Sequence, residues 1–108
     1  DFNGSFKYYN LNTNVSVGVP AKFELSQNYP NPFNPSTKIN FSLPKDAKVT
    51  LTIFDISGRE VARLLNGEFR QADYYTVNFN GSALASGVYF YKIQAGDFTE
   101  SKKMMLVK

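Results

Sequence analysis

Apolar and polar residues alternate along much of this chain. Ile39, Phe41 and Leu43 fall on one side of a pleated strand, with Lys38, Asn40 and Ser42 on the other. Val49, Leu51 and Ile53 alternate with Lys48, Thr50 and Thr52, and Tyr75, Val77 and Phe79 with Tyr74, Thr76 and Asn78. Val88 to Gln94 is apolar on both faces, which predicts a strand inside a sheet. Further strands are predicted around Phe23–Gln27, over Val61–Leu65 and from Phe98 to Val107. Turn formers separate them: Pro44-Lys45-Asp46, Asp55 to Arg59, Asn66-Gly67, Asn80-Gly81-Ser82 and Ala95-Gly96-Asp97. Asn66-Gly67 reads as a hairpin turn, Gly58 suits a left-handed turn position, and Ala83 to Ser86 is expected to form a short turn of helix. No segment sustains a 3.6-residue period. The expectation is an all-β chain folded as an immunoglobulin-like sandwich of two antiparallel sheets, with about seven strands.

Two segments depart from the alternation. Residues 1–19 are rich in Asn, Ser, Thr and Gly, as a linker is, but Phe6, Tyr8 and Tyr9 also fit the end of an upstream domain. The sandwich is expected to occupy residues 20–108. Near its start lies Tyr29-Pro30-Asn31-Pro32-Phe33-Asn34-Pro35. Proline supplies no backbone donor and pushes the residue before it to extended geometry. The run is therefore expected to be a stiff arm, with Asn31 and Asn34 in Asx turns and Tyr29 and Phe33 plugged into the core.

Composition narrows the chemistry. The 108 residues contain no Cys and no His. Disulfides, thiol catalysis, the commonest general base and most transition-metal sites are thereby excluded. The net charge is +3 and only Lys102 and Lys103 among the basic residues are adjacent, so no nucleic-acid stripe is evident. No apolar run approaches the length of a membrane span. The sequence opens on Asp1 with no signal-peptide pattern after it and is read as part of a longer chain.

No site chemistry stands out. Asp55, Glu60, Asp73, Asp97 and Glu100 sit in or beside turns and form no pair across a cleft. Asp55-Ile56-Ser57 is too sparse for calcium, and the glycines are isolated turn formers rather than a phosphate loop. No metal and no cofactor is expected. Asn3-Gly4-Ser5 and Asn80-Gly81-Ser82 match a short glycosylation pattern. Tyr74, Tyr89, Phe90 and Tyr91 form an aromatic cluster. Rings on a surface would stack on sugars; rings on alternate positions of a central strand belong in the core. Phe54 and Phe90, out of phase with Ile53 and Tyr91, are expected to form an exposed apolar patch. Lys102, Lys103 and Lys108 flank Met104-Met105-Leu106-Val107, either as an edge strand guarded by lysines or as a strand displayed for pairing with a partner.

Several separated stretches resemble one known family. FELSQNYPNPFNPSTKINFSLP, VTLTIFDISGREVARLLNG and ALASGVYFYKIQAGDFTESKKMMLVK occur in the order found in the C-terminal sorting domains of type IX secretion substrates. The resemblance runs from about Phe23 to Lys108. One departure is Gln71-Ala72-Asp73-Tyr74-Tyr75, where the family usually has an Ala-Gly pair; Asp73 is among the better substitutes for a left-handed Gly.

The resemblance implies a non-enzymatic secretion address carried behind an upstream cargo domain of a Gram-negative bacterium. Such cargo passes through the periplasm and reaches the cell surface or the extracellular space. The implied partners are the type IX outer-membrane translocon and sortase. The recognition region would be Lys102, Lys103, Met104, Met105, Leu106, Val107 and Lys108. The structural motif would be Tyr29, Pro30, Asn31, Pro32, Phe33, Asn34, Pro35, Gly58 and Gly87. A sortase cut would fall among Val15, Ser16, Val17, Gly18, Val19, Pro20, Ala21 and Lys22, followed by attachment of the cargo to the surface. An accessory adhesion or carbohydrate-binding sandwich of a surface enzyme is the alternative, and a structural spacer a third reading.

Overall fold

The structure is a computed structural model that describes residues 20–108. The expected linker over residues 1–19 lies outside the described residues. Seven strands follow one another: β1 Glu24–Leu25, β2 Ser36–Leu43, β3 Ala47–Asp55, β4 Glu60–Arg70, β5 Asp73–Asn80, β6 Gly87–Ala95 and β7 Phe98–Leu106. Every pairing is antiparallel, in a three-stranded sheet ordered β1-β2-β5 and a four-stranded sheet ordered β4-β3-β6-β7.

The period-two pattern decides which side chains enter the space between the sheets. Ile39, Phe41 and Leu43 from β2 meet Val49, Leu51 and Ile53 from β3, all buried. Tyr89, Tyr91, Ile93 and Ala95 of β6 complete the layer, with Phe79 of β5. Each fully buried aliphatic or aromatic side chain contributes about 1.5–3 kcal/mol. β6 lies between β3 and β7, the interior position its two-sided apolar sequence requires.

Tyrosine hydroxyls tie this core together. Tyr89, near the start of β6, donates to the Ala85 carbonyl four residues upstream at 2.7 Å. This is the tyrosine corner of immunoglobulin-like sandwiches. Two residues on, where antibody domains place a cystine, stands the wholly buried Tyr91. Its hydroxyl donates to Ser26 O at 2.6 Å and accepts from Asn28 N at 2.8 Å, joining the four-stranded sheet to the segment that leaves β1. Burial pushes this hydroxyl up to about 12 from the ordinary 10.0; the Asn28 N–H opposes the shift and the Glu100 charge adds to it. The aromatic cluster therefore divides. Tyr89 and Tyr91 are core, Phe90 is half-buried and Tyr74 is exposed.

Three local expectations change. Asn66-Gly67 is not a hairpin turn, because β4 runs through it to Arg70. Opposite the single residue Thr50 stand both Asn66 and Gly67, since Val49 pairs with Glu68 and Leu51 with Leu65. Gly67, at φ +65°, makes the bulge and donates its N–H to the Thr50 hydroxyl at 3.0 Å. Ala83 to Ser86 forms no helix. Leu84 N bonds Gly81 O at 2.9 Å in one turn, and Gly87 then opens β6. Phe54 and Phe90 are cross-strand partners in the two inner strands of their sheet, so each is shielded on both sides and half-buried. The exposed apolar side chains include Ile56, Phe69, Met105 and Val107 instead. Pro44-Lys45-Asp46 does turn the chain, and it carries it from one sheet to the other.

Candidate functional site

The recognition region predicted at the end of the sequence falls on the second half of β7, from Lys102 to Leu106, and the two residues after it. Alternation divides it sharply. Met104 and Leu106 are buried at 1% exposure, whereas Lys103, Met105 and Val107 face solvent. Lys102 and Lys103, adjacent in sequence, point to opposite faces of the strand. Lys102 reaches Glu100 at 3.3 Å, while Lys103 has no ion-pair partner among the described residues. Lys108 is held by two bonds: its backbone N–H donates to Ser86 Oγ at 3.0 Å and its Nζ to Ser82 O at 2.6 Å.

β7 is the edge of its sheet, but much of that edge is occupied by the proline arm. Phe33 N donates to Met105 O at 2.9 Å and Phe33 O accepts from Val107 N at 3.0 Å. Asn31 Oδ1 accepts from Met105 N at 3.0 Å, and Gln27 Nε2 donates to Lys103 O at 2.7 Å. The arm thus runs parallel to β7 at the Phe33–Leu106 bridge. Strand addition by a partner is blocked from Lys103 to Val107. At Thr99 and Ser101 the same edge has no such partner among the described residues.

The arm reaches β7 from the opposite sheet. Tyr29 still pairs with Lys38 of β2, with bonds of 3.0 Å in both directions. Between Tyr29 and Phe33 the chain crosses, so the two aromatics part company: Phe33 is buried at 1% exposure and Tyr29 is 80% exposed. The expectation that both plug the core holds for Phe33 alone. Phe33 packs edge-on against Phe79. Gly81 makes room for it, since a Cβ there would lie 3.3 Å from Phe33 Cε2 and 3.2 Å from Leu106 Cδ2. Asn31 is not in an Asx turn with its own backbone; its amide oxygen is spent on β7.

Sequence reasoning passed over Gln27 and Asn28. Asn28 is 2% exposed and donates through Nδ2 to Thr37 Oγ1 at 3.0 Å and Pro30 O at 3.1 Å. Thr37 donates in turn to Pro30 O at 2.9 Å. Two amides at the head of a proline run are the available signal, because prolines cannot satisfy their neighbours' carbonyls.

The outward side chains of β7 border a cleft of about 200 Å³ lined by Asn31, Pro32, Val88, Lys103, Met104 and Met105. Val88 faces Met105 and Phe90 faces Lys103 across the β6–β7 pair. The arrangement offers one cation beside apolar surface and no nucleophile or paired acid. The Asp55–Arg59 turn is self-contained: Asp55 Oδ1 accepts from Ser57 Oγ, Ser57 N and Arg59 N, and Arg59 closes an ion pair at 3.2 Å. The Ser57 hydroxyl first, then the Arg59 N–H, hold the Asp55 carboxyl below its ordinary value. Gly58 takes φ +88° in that turn and Gly87 φ +156° at the start of β6. No cluster of three potential metal ligands occurs among the described residues, and no helix there is long and apolar enough to cross a membrane.

Of the predicted cleavage stretch, residues 15–19 lie outside the described residues. Pro20 is buried, and Ala21 and Lys22 are exposed, with Lys22 O accepting from Ser42 Oγ at 3.1 Å.

A search among curated proteins finds no match to the chain. Residues 27–108 match the family model described as the secretion system C-terminal sorting domain. The match begins at Gln27, whose side chain bonds the Lys103 carbonyl of β7, and takes in β2 to β7. The chain belongs to the family of C-terminal sorting domains of type IX secretion.

Proposed function

We propose that residues 20–108 form a prefolded address that type IX secretion machinery reads through the outward side chains of Lys103 and Met105 on β7 and of Val107 just beyond it, with the cleft beside them. The observation that carries this reading is the division of labour on β7: alternate residues build the core and leave the others displayed. The occupied edge from Lys103 to Val107 favours recognition by side chains over strand addition. The domain acts by being bound and makes no bond of its own. The partners are the outer-membrane translocon and its sortase. Cargo ahead of the domain passes through the periplasm to the cell surface, is released by a cut within residues 15–22 and is attached there.

The test is a Lys103→Glu/Met105→Ser/Val107→Ser variant of the whole cargo-bearing protein in a type IX-competent host. These positions face solvent, so the thermal transition should stay close to that of the parent. Retention of cargo in the periplasm is expected. Wild-type surface display of the variant would refute the reading. Mass spectrometry of the released product should place the cut inside residues 15–22.

A further inference from the structure

The outer face of the three-stranded sheet is chemically unlike the rest of the surface. The opposite face of the molecule carries Lys48, Arg63, Lys92 and Lys103 on outward positions of its strands. Here the outward positions of β2 and β5 are mainly short hydroxyls and amides, among them Asn40, Thr76 and Asn78. Charge is scarce: Lys38 stands mid-face, and Glu24 is paired with Lys22 at 3.5 Å. A solvated face accounts for the hydroxyls and amides. It does not account for two tyrosines left in water, Tyr29 at 80% and Tyr74 at 63% exposure.

Their placement is ordered. Tyr29 lies opposite Lys38 on one flank of β2, and Tyr74 opposite Ser42 on the other. Lys38 and Ser42 are four residue steps apart on β2, about 13 Å along the strand. A hollow of about 370 Å³ is lined by Tyr29, Lys38 and Asn78, and one of about 380 Å³ by Tyr74, Asn40 and Thr76. Each lies within the size range of small-ligand sites. Thr76 Oγ1 donates to Asn40 Oδ1 at 2.7 Å, which fixes that amide with its N–H₂ outside the bond.

We propose that this face binds a neutral oligosaccharide chain, laid across β2 between the rings of Tyr29 and Tyr74. Sugar rings present apolar C–H faces to aromatic planes and hydroxyls to amides and alcohols, and they carry no charge to be matched. The near-neutral face excludes phosphate-rich polymers, which need several cations. The separation of the two rings suits a chain rather than a single sugar. The site lies on the sheet that does not contain β7 and stands apart from the sorting role, so failure of one leaves the other intact.

Isothermal titration of the full 108-residue chain with cellohexaose, mannohexaose and xylohexaose, and with heparin as the anionic polymer, tests this. Saturable binding of at least one neutral hexasaccharide is expected. Tyr29→Ala and Tyr74→Ala should each weaken it at least about tenfold, and Met105→Ala on the other sheet should leave it unchanged. In amide NMR spectra of the unsubstituted chain, the same sugar should shift Asn40, Thr76 and Asn78. Absence of saturable binding, binding of heparin alone, undiminished binding by both tyrosine variants, or shifts centred elsewhere would each overturn the proposal.

Discussion

Single side chains show where this sandwich stores its specificity. Tyr91 serves two backbone groups from the centre of the core. Tyr91→Phe keeps the ring but leaves Asn28 N–H and Ser26 C=O without that partner, a loss of about 1–3 kcal/mol that urea denaturation would measure. The same hydroxyl ties stability to alkaline pH. Its folded value, about 12, lies above the unfolded 10.0, so its contribution is whole below pH 10 and is lost as pH rises toward 12. Urea midpoints from pH 9 to 12 should fall across that window, and less steeply in Tyr91→Phe. At Gly81 the constraint is space. Gly81→Ala presses on Phe33 and Leu106 and should cost about 1–3 kcal/mol in the same assay. Alternation alone made the inner faces legible at this scale, since Ile39, Phe41, Leu43, Val49, Leu51 and Ile53 are all buried as their spacing requires. It did not distinguish Tyr29 from Phe33. Both sit beside prolines, and the point where the arm crosses between sheets decides which ring goes in.

Among the elements, the arm and the β4 bulge were the least legible. Asn-Gly satisfies a two-residue turn and a bulge equally well. What selects the bulge is Thr50, distant in sequence, whose hydroxyl receives the Gly67 N–H. The stiffness of the arm follows from its prolines, but its destination does not, because the groups it meets belong to β7. Native-state hydrogen exchange can read the docking residue by residue. Asn31→Ala should deprotect the Met105 amide and leave Val107 protected, since Val107 bonds Phe33 O. Phe33→Ala should deprotect both and destabilise the fold by about 3–5 kcal/mol through the cavity it leaves. Equal protection of Met105 in Asn31→Ala and the parent would show that this bond contributes nothing.

For the molecule as a whole, seven strands in two layers could be read from the alternation and its punctuation, whereas the assignment of strands to sheets could not. β2 and β3 look like a hairpin because a turn joins them, yet they face each other across the core. Sheet membership depends on long-range pairing, which a local pattern does not encode. This bears on how the sorting role is tested. Deleting Lys102–Lys108 removes Met104 and Leu106 from the core together with the displayed side chains. The truncated domain should lose its cooperative thermal transition, so its failure to export would report unfolding as well as lost recognition. Substitutions confined to Lys103, Met105 and Val107 separate the two.

β7 occupies a slot whose walls, β6 on one side and Phe33 of the arm on the other, both precede it in the sequence. On a ribosome the slot is laid down before the strand that fills it. A chain whose synthesis stops short of Met104 carries an open slot and an unfinished core. Without Met104 and Leu106 the two layers have nothing to fill that slot, so the last-made strand is the one that makes the fold cooperative.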